Sequence, residues 1–312
     1  MPPTRPRWGS LQFWPRKRAA KFLPSANWKP VKGQGLLGLI AYKAGMATVI
    51  VKDNTEASMT KGKKMALPVT ILEVPGMKIF SVRFYKNTKV LKDVIVANDK
   101  ELKHIVKVPA SLKPFDSQIP ADYDDIRLVV FTLANKTAFK KTPDILEVAV
   151  SAPNKLDYVK TLIGKEITMK DFLDKKELLD VHAVSKGKGL EGPVPRMGLS
   201  LKGHKSEKGV RRPGSLGPWH PARVTFRTPM SGQLGWFTRV VYNLNLITSG
   251  TIAEKNINPG TGFKHYGNIK TSYMIIHGSI PGPVKRAVLV VPAIRPTKLQ
   301  SKQKYQFTEL AI

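Results

Sequence analysis

Acidic residues are concentrated in the middle of this chain, and that concentration constrains it more than any other feature. Residues 98–181 carry fourteen basic and fourteen acidic side chains. Residues 1–35 carry eight basic and no acidic ones, 36–97 carry ten against four, and 182–312 carry twenty against four. The net values along the chain are +8, +6, 0 and +16, for a total of +30. Unbalanced positive charge repels itself and costs stability unless a polyanion offsets it. Nucleic acid does so with a further gain, because cations on phosphates release condensed counterions. Mixed charge suits water. The neutral block is therefore expected to face solvent as a lobe of its own, and the cationic remainder to face RNA. Chance variation in a Lys-rich surface is the bland alternative.

An anionic membrane surface is the competing partner. No apolar run approaches the roughly 18–20 residues a spanning helix needs. The N-terminus has charge but no apolar signal-peptide stretch. Pro2 stands where myristoylation needs glycine, and no Cys is present to carry a C-terminal lipid. A cytoplasmic protein with no membrane partner is expected. The absence of Cys also excludes disulfides and thiolate metal sites. With 312 residues and 42% hydrophobic content, the chain can bury a core as one large domain or two to three smaller ones.

Residues 1–35 read as an extended basic tail. Pro2, Pro3, Pro6, Pro15, Pro24 and Pro30 break any helix. Arg5, Arg7, Arg16, Lys17, Arg18 and Lys21 are interleaved with Trp8, Phe13, Trp14, Phe22 and Trp28. Such rings stack on unpaired bases, and Arg lies on phosphates or base planes. The other reading has part of these aromatics docking on their own protein. In 36–97, short β-branched or aromatic runs begin at Gly35, Ala47, Leu67 and Ile79, bounded by turn residues including Lys43-Ala-Gly45 and Pro75-Gly76. Similar runs begin at Val240, Ser272 and Ala287, so 36–97 and 240–312 are expected to form one small split β-barrel. The neutral block 98–181 reads as an α+β insertion, with strands from Ile126 and Ile145 and helices over 155–163 and 169–179. Residues 182–239 have little periodicity, and eleven basic residues against two acidic ones. Compact domains rarely hold so long a structureless segment without a function, which suits an extended arm threaded between RNA helices.

No catalytic constellation emerges. Gly187-Lys-Gly189 lacks the spacing of a nucleotide-binding loop. The histidines at 104, 182, 204, 220, 265 and 277 are scattered, and Asp122, Asp124 and Asp125 read as a solvated acidic loop. No cofactor, metal or small-molecule substrate is expected, and the chain is not expected to be an enzyme. An RNA-modifying enzyme with a barrel RNA-binding part and a sequence-blind nucleic-acid compactor are the rivals. Trp219-His-Pro221 stands in a Gly-rich basic run. Its ring either stacks on RNA at an arm tip or folds back on the barrel, and the residues alone leave both open.

Several segments taken together resemble the universal large-subunit ribosomal protein L-three family, in its archaeal form. They are the N-terminal Pro/Arg/Trp tail, Gly38-Leu-Ile-Ala-Tyr-Lys-Ala-Gly-Met46, Val181-His-Ala-Val-Ser-Lys-Gly-Lys-Gly-Leu-Glu-Gly192, Arg212-Pro-Gly-Ser-Leu-Gly217, Trp219-His-Pro221, Gly232-Gln-Leu-Gly235 and His277-Gly-Ser-Ile-Pro-Gly282. The resemblance implies a mixed β and α+β fold: a translation-factor-like barrel, an α+β insertion, and long extended RNA-binding arms. It implies a constituent of the large ribosomal subunit that binds rRNA, helps nucleate assembly and influences the accommodation of incoming tRNA. It implies an internal extension reaching toward the peptidyl transferase centre, with Trp219 near its tip. Large-subunit rRNA and neighbouring ribosomal proteins would be the partners. Bacterial relatives carry a methylated Gln where Pro218 and Trp219 follow here. Eukaryotic relatives methylate a His at a position matching Glu207, so no methylation is expected.

The RNA-binding candidates are Arg5, Arg7, Trp8, Trp14, Arg16, Lys17, Arg18, Lys21 and Trp28 in the tail. In the arm they are Lys186, Lys188, Arg196, Lys202, His204, Lys205, Lys208, Arg211, Arg212, Trp219, His220, Arg223, Arg227, Trp236 and Arg239, followed by Lys285 and Arg286.

Overall fold

The computed structural model describes residues 12–173, 178–203, 205 and 208–311. The candidates Arg5, Arg7, Trp8 and His204 lie outside them. In chain order the elements are β1 (Gly35–Leu36), β2 (Leu39–Asp53), β3 (Lys64–Val74), β4 (Met77–Lys86), β5 (Lys89–Ile95), β6 (Asp125–Thr132), β7 (Ile145–Ser151), α1 (Lys155–Leu162), α2 (Met169–Leu173), β8 (Leu178–Val184), β9 (Leu190–Glu191), α3 (Pro193–Met197), β10 (Gly232–Gln233), β11 (Thr238–Thr251), β12 (Ser272–His277), β13 (Ala287–Pro292), α4 (Lys298–Ser301) and β14 (Tyr305–Ala311). The fold is mostly β with few helices, and no helix among the described residues is long and apolar enough to cross a membrane.

Two compact units form. The larger comprises 22–183 and 239–312; the smaller comprises the described residues of 1–21 and 184–238. The larger unit holds a seven-stranded sheet ordered β13-β8-β11-β12-β3-β2-β14, in which β13 also pairs with β2. Strands from both ends of the chain thus share one hydrogen-bonded sheet, as with Tyr273↔Glu73 and Leu289↔Ile40. A second sheet runs β1-β7-β6-β4-β5. Side chains alternate across its strands. Val82, Phe84, Ile126, Leu128, Val130 and Val148 enter the main core, while Phe80, Val129 and Phe131 pack with Leu102 in a smaller cluster.

Several expectations change in the structure. Lys43-Ala-Gly45 is not a turn: the run from Leu39 to Asp53 is one strand, and the irregularity between Lys43 and Gly45 is a bulge against β3. Helical spacing over 169–179 ends early. Leu178–Val184 is a strand buried at every position, Asp180 and His182 included, and it pairs with β13. The compact units also do not follow the charge windows. Strand β4, from the +6 window, pairs with β6, from the neutral block. Leu23, Trp28 and Val31, in the proline-rich N-terminal stretch, belong to the main core. A Cβ on Gly38 would lie 2.7 Å from Trp28 Cη2, so the missing side chain lets the indole lie against the backbone just before β2.

The neutral character of the second sheet has a structural counterpart. Glu147 accepts hydrogen bonds from Arg83 (2.8 Å), Arg127 (2.9 Å) and the Tyr85 hydroxyl (2.8 Å). Arg83 also reaches Asp93, and Lys155 reaches Asp125. Burial alone would push the Glu147 carboxyl up, but the Arg127, Tyr85 and Arg83 bonds outweigh it and hold the group below its ordinary value. Across β4, β6 and β7, Arg83 and Arg127 are neutralised by Asp93, Asp125 and Glu147.

Candidate nucleic-acid interface

The smaller unit is built on a two-stranded ribbon. The Ser185 amide donates to the Phe237 carbonyl (2.9 Å), Lys188 to Leu234 (3.0 Å) and Leu234 to Gly189 (2.9 Å). Beyond them β9 pairs with β10 through Gly232↔Glu191 and Gln233↔Leu190. Gly235 makes the crossing possible. Its φ is +74°, and a Cβ there would sit 2.1 Å from the Lys186 carbonyl oxygen, a contact no other residue tolerates. The segment expected to be structureless also contains α3. Proline at its first turn and a left-handed Gly198 (φ +70°) at its end supply the start and stop signals.

The N-terminal segment is tied to this ribbon. Ala19 donates its amide to the Trp236 carbonyl (2.8 Å). Arg16 donates to the Arg196 carbonyl (3.0 Å) and the Met197 sulfur (3.1 Å). The Trp14 ring meets Phe226 edge-on at 5.4 Å, with the Arg16 and Arg196 guanidiniums 5.2 and 5.9 Å from its centre. Arg196 itself donates to the Gln233 (3.1 Å) and Met230 (3.0 Å) carbonyls, and burial draws its pKa below the ordinary value. Trp14, Arg16, Arg196 and Trp236 thus hold the unit together.

The remaining candidates point outward. Lys17, Arg18, Lys21, Lys186, Lys188, Lys205, Lys208, Arg211, Arg212, His220, Arg223, Arg227 and Arg239 are exposed, as is Lys285 in the larger unit, and Lys202 is half-buried. Lys186, Lys188, Arg211, Arg212 and Arg223 have no carboxylate partner among the described residues, unlike Arg83, Arg127 and Lys155 in the larger unit. Trp219 is 87% exposed, so its ring does not pack back onto the protein. With Leu216, Pro218, Pro221 and Val224 it lines a shallow depression of about 400 Å³.

In the larger unit two candidates are corrected, as Arg196 is in the smaller one, where it is buried against the Gln233 and Met230 carbonyls. Trp28 lies in the core at 7% exposure, because the proline-rich segment around it packs into the main core beside Gly38 instead of extending away. Arg286 is also buried, with its guanidinium 4.7 Å from the Phe22 ring centre, and burial lowers its pKa. Neither presents a surface to a partner. Conversely, Leu190, at 83% exposure on the ribbon beside Lys188, and Phe226, at 57%, were passed over. The available signal was an apolar residue inside a cationic run without periodicity.

Exposed cations without internal acids, set among exposed apolar and aromatic side chains, suit phosphates and unpaired bases. Among the described residues no group of three or more His, Asp or Glu is placed to hold a metal ion.

The family model for ribosomal protein L3 matches residues 1–107 and 97–309. The large ribosomal subunit protein uL3 of Archaeoglobus fulgidus is 38% identical over 311 residues, covering 94% of this chain and 93% of that protein. The Methanosphaera stadtmanae protein of the same name is 37% identical, covering 93% and 92%. That of Methanocorpusculum labreanum is 36% identical, covering 96% and 98%. Matches that span the tail, both large sheets and the basic ribbon identify this chain as a member of the ribosomal protein L3 family, in its archaeal form.

Proposed function

We propose that this chain is a structural, non-enzymatic constituent of the large ribosomal subunit in the cytoplasm, and that its smaller unit and N-terminal segment bind rRNA. The observation that carries the reading is the contrast in charge pairing. Arg83 and Arg127 on the β4–β7 sheet and Lys155 beside it meet acids, whereas Lys186, Lys188, Arg211, Arg212 and Arg223 on the ribbon and arm have none among the described residues. Exposed cations in that state repel one another, and phosphate removes the cost. Arg takes phosphate oxygens as a planar fork and Lys acts as a point charge, while the exposed Trp219, Leu190 and Phe226 supply surfaces for unpaired bases.

We read the seven-stranded sheet, with β13 joined to both β8 and β2, as a barrel of the translation-factor type that serves as the rigid anchor. Within residues 182–239, the stretch after β8 forms the basic internal arm, and Trp219 lies near its tip, toward the peptidyl transferase centre. The same anchoring supports a role in nucleating subunit assembly, with rRNA and neighbouring large-subunit proteins as partners. Peptide transfer itself belongs to the RNA.

A photo-crosslinking amino acid in place of Trp219, in purified large subunits carrying the full chain, tests this reading. Attachment to rRNA is expected. Attachment only within the chain itself, or failure of the chain to enter the subunit, refutes it.

A further inference from the structure

The larger unit carries a binding cleft that the RNA reading leaves unused. Strand β14 is the last strand of its sheet and pairs only with β2. Among the described residues, no hydrogen bond joins its backbone to anything on the other side. Beside it lies a cleft of about 440 Å³, walled on one side by Lys255, Ile257 and Pro259 and on the other by Phe307, Glu309 and Leu310. Lys255 Nζ stands 4.3 Å from the Phe307 ring centre, so the half-buried Phe307 ring gives the cleft an aromatic surface.

We propose that this cleft receives an extended polypeptide segment of a neighbouring protein, which adds as a strand to β14. Three observations select a peptide over RNA. The cleft holds one lysine and one glutamate, so it is neutral in a chain of net charge +30 and offers a polyanion no electrostatic gain. An open strand edge presents amides and carbonyls in the spacing that another backbone satisfies. The half-buried Phe307 and Leu310 give side chains of the added segment apolar surface to contact. The irregularity at Phe307/Glu309 interrupts the edge, which keeps the segment that adds short.

This inference rests on the chain residing in the large subunit, and the test separates the two. The full chain carries benzoylphenylalanine at Thr308, an exposed position on the cleft wall. Co-purification with large subunits is scored first; absence there refutes the placement, not the cleft. In purified subunits the crosslink is expected to join an extended protein segment. Amide exchange of β14 is expected to slow by at least about tenfold relative to the free chain, while β12, central in the sheet, changes little. Attachment to rRNA overturns the proposal. So does a protein crosslink without slowed β14 exchange, since a neighbour would then touch the cleft without pairing. No crosslink with unchanged exchange overturns it as well.

Discussion

Replacing Gly235 with alanine should open the ribbon of the smaller unit without touching a single charge. The built Cβ lies 2.1 Å from the Lys186 carbonyl oxygen, and real Cβ atoms stay beyond 3.0 Å, so the two backbones must separate by at least about 0.9 Å. An L side chain at φ +74° adds roughly 1–2 kcal/mol. The hydrogen bonds flanking the contact, Ser185 to Phe237 and Lys188 to Leu234, contribute about 0.5–1.5 kcal/mol each. Together these give a local loss of about 2–5 kcal/mol, or at least roughly twentyfold faster amide exchange at Lys188 and Leu234. Gly187→Ala is the internal control, because its Cβ would meet the Trp236 ring at 3.6 Å, an ordinary contact. Exchange mass spectrometry on the two full-length variants should show opening in G235A only. Binding to rRNA should weaken in G235A alone, with all basic residues retained. Equal exchange and equal binding in both variants would refute the reasoning.

Three further outcomes follow from the geometry. Trp28→Ala should lower the stability of the larger unit by about 3–5 kcal/mol, read as a shift in urea midpoint, because it empties a core site; a surface-like change below ~0.5 kcal/mol would return Trp28 to the RNA-facing set. The Glu147 carboxyl is held below its ordinary value when folded, so its stabilising effect is complete above the unfolded value near ~4.3 and disappears as pH falls through the folded value. The midpoint difference between the parent chain and Glu147→Gln should therefore shrink under acid, and a constant difference down to about pH 2 would contradict the network. Burial lowers the His182 pKa against the raising pull of Asp180, and its Nε2 has no hydrogen-bond partner among the described residues. The unfolded chain takes up a proton below about pH 6.5 that the folded chain resists, so stability should fall as pH drops through that value; a His182→Gln variant with the same pH slope would show that this histidine is not responsible.

Much of the sheet was legible because its strands announce themselves. Runs such as Ala287–Pro292 and Ser272–His277 are apolar, β-branched and bounded by turn residues. What pattern could not supply was the partner of each strand. The pairing of β4 with β6 crosses a boundary that charge seemed to draw, because net charge reports the solvent-facing side of a sheet and not its edges. Strand β14 was missed because the consecutive polar Thr308 and Glu309 break its alternation and it carries no long apolar run. Strand β5 escaped because Lys89, Lys92 and Asp93 interrupt its apolar residues without a period of two, and it is exposed over most of its length. At the interface, composition located the cationic ribbon but not its architecture. Whether a Trp or Arg faces out depends on tertiary neighbours: Gly38 gives Trp28 a seat, Phe22 gives Arg286 one, and nothing does so for Trp219. Exposed leucines such as Leu190 are invisible to any rule that searches for charge.

The most direct test is the salt dependence of rRNA binding by the full chain, set against a variant with Lys186, Lys188, Arg211, Arg212 and Arg223 all replaced by Gln. Phosphate contacts made by these five side chains should steepen the slope of log affinity against log salt by roughly 3.5–4.5 in magnitude, and the variant should lose that amount. A flat slope for the parent chain, or a steep one that survives removal of all five, would contradict the assignment of this surface to RNA.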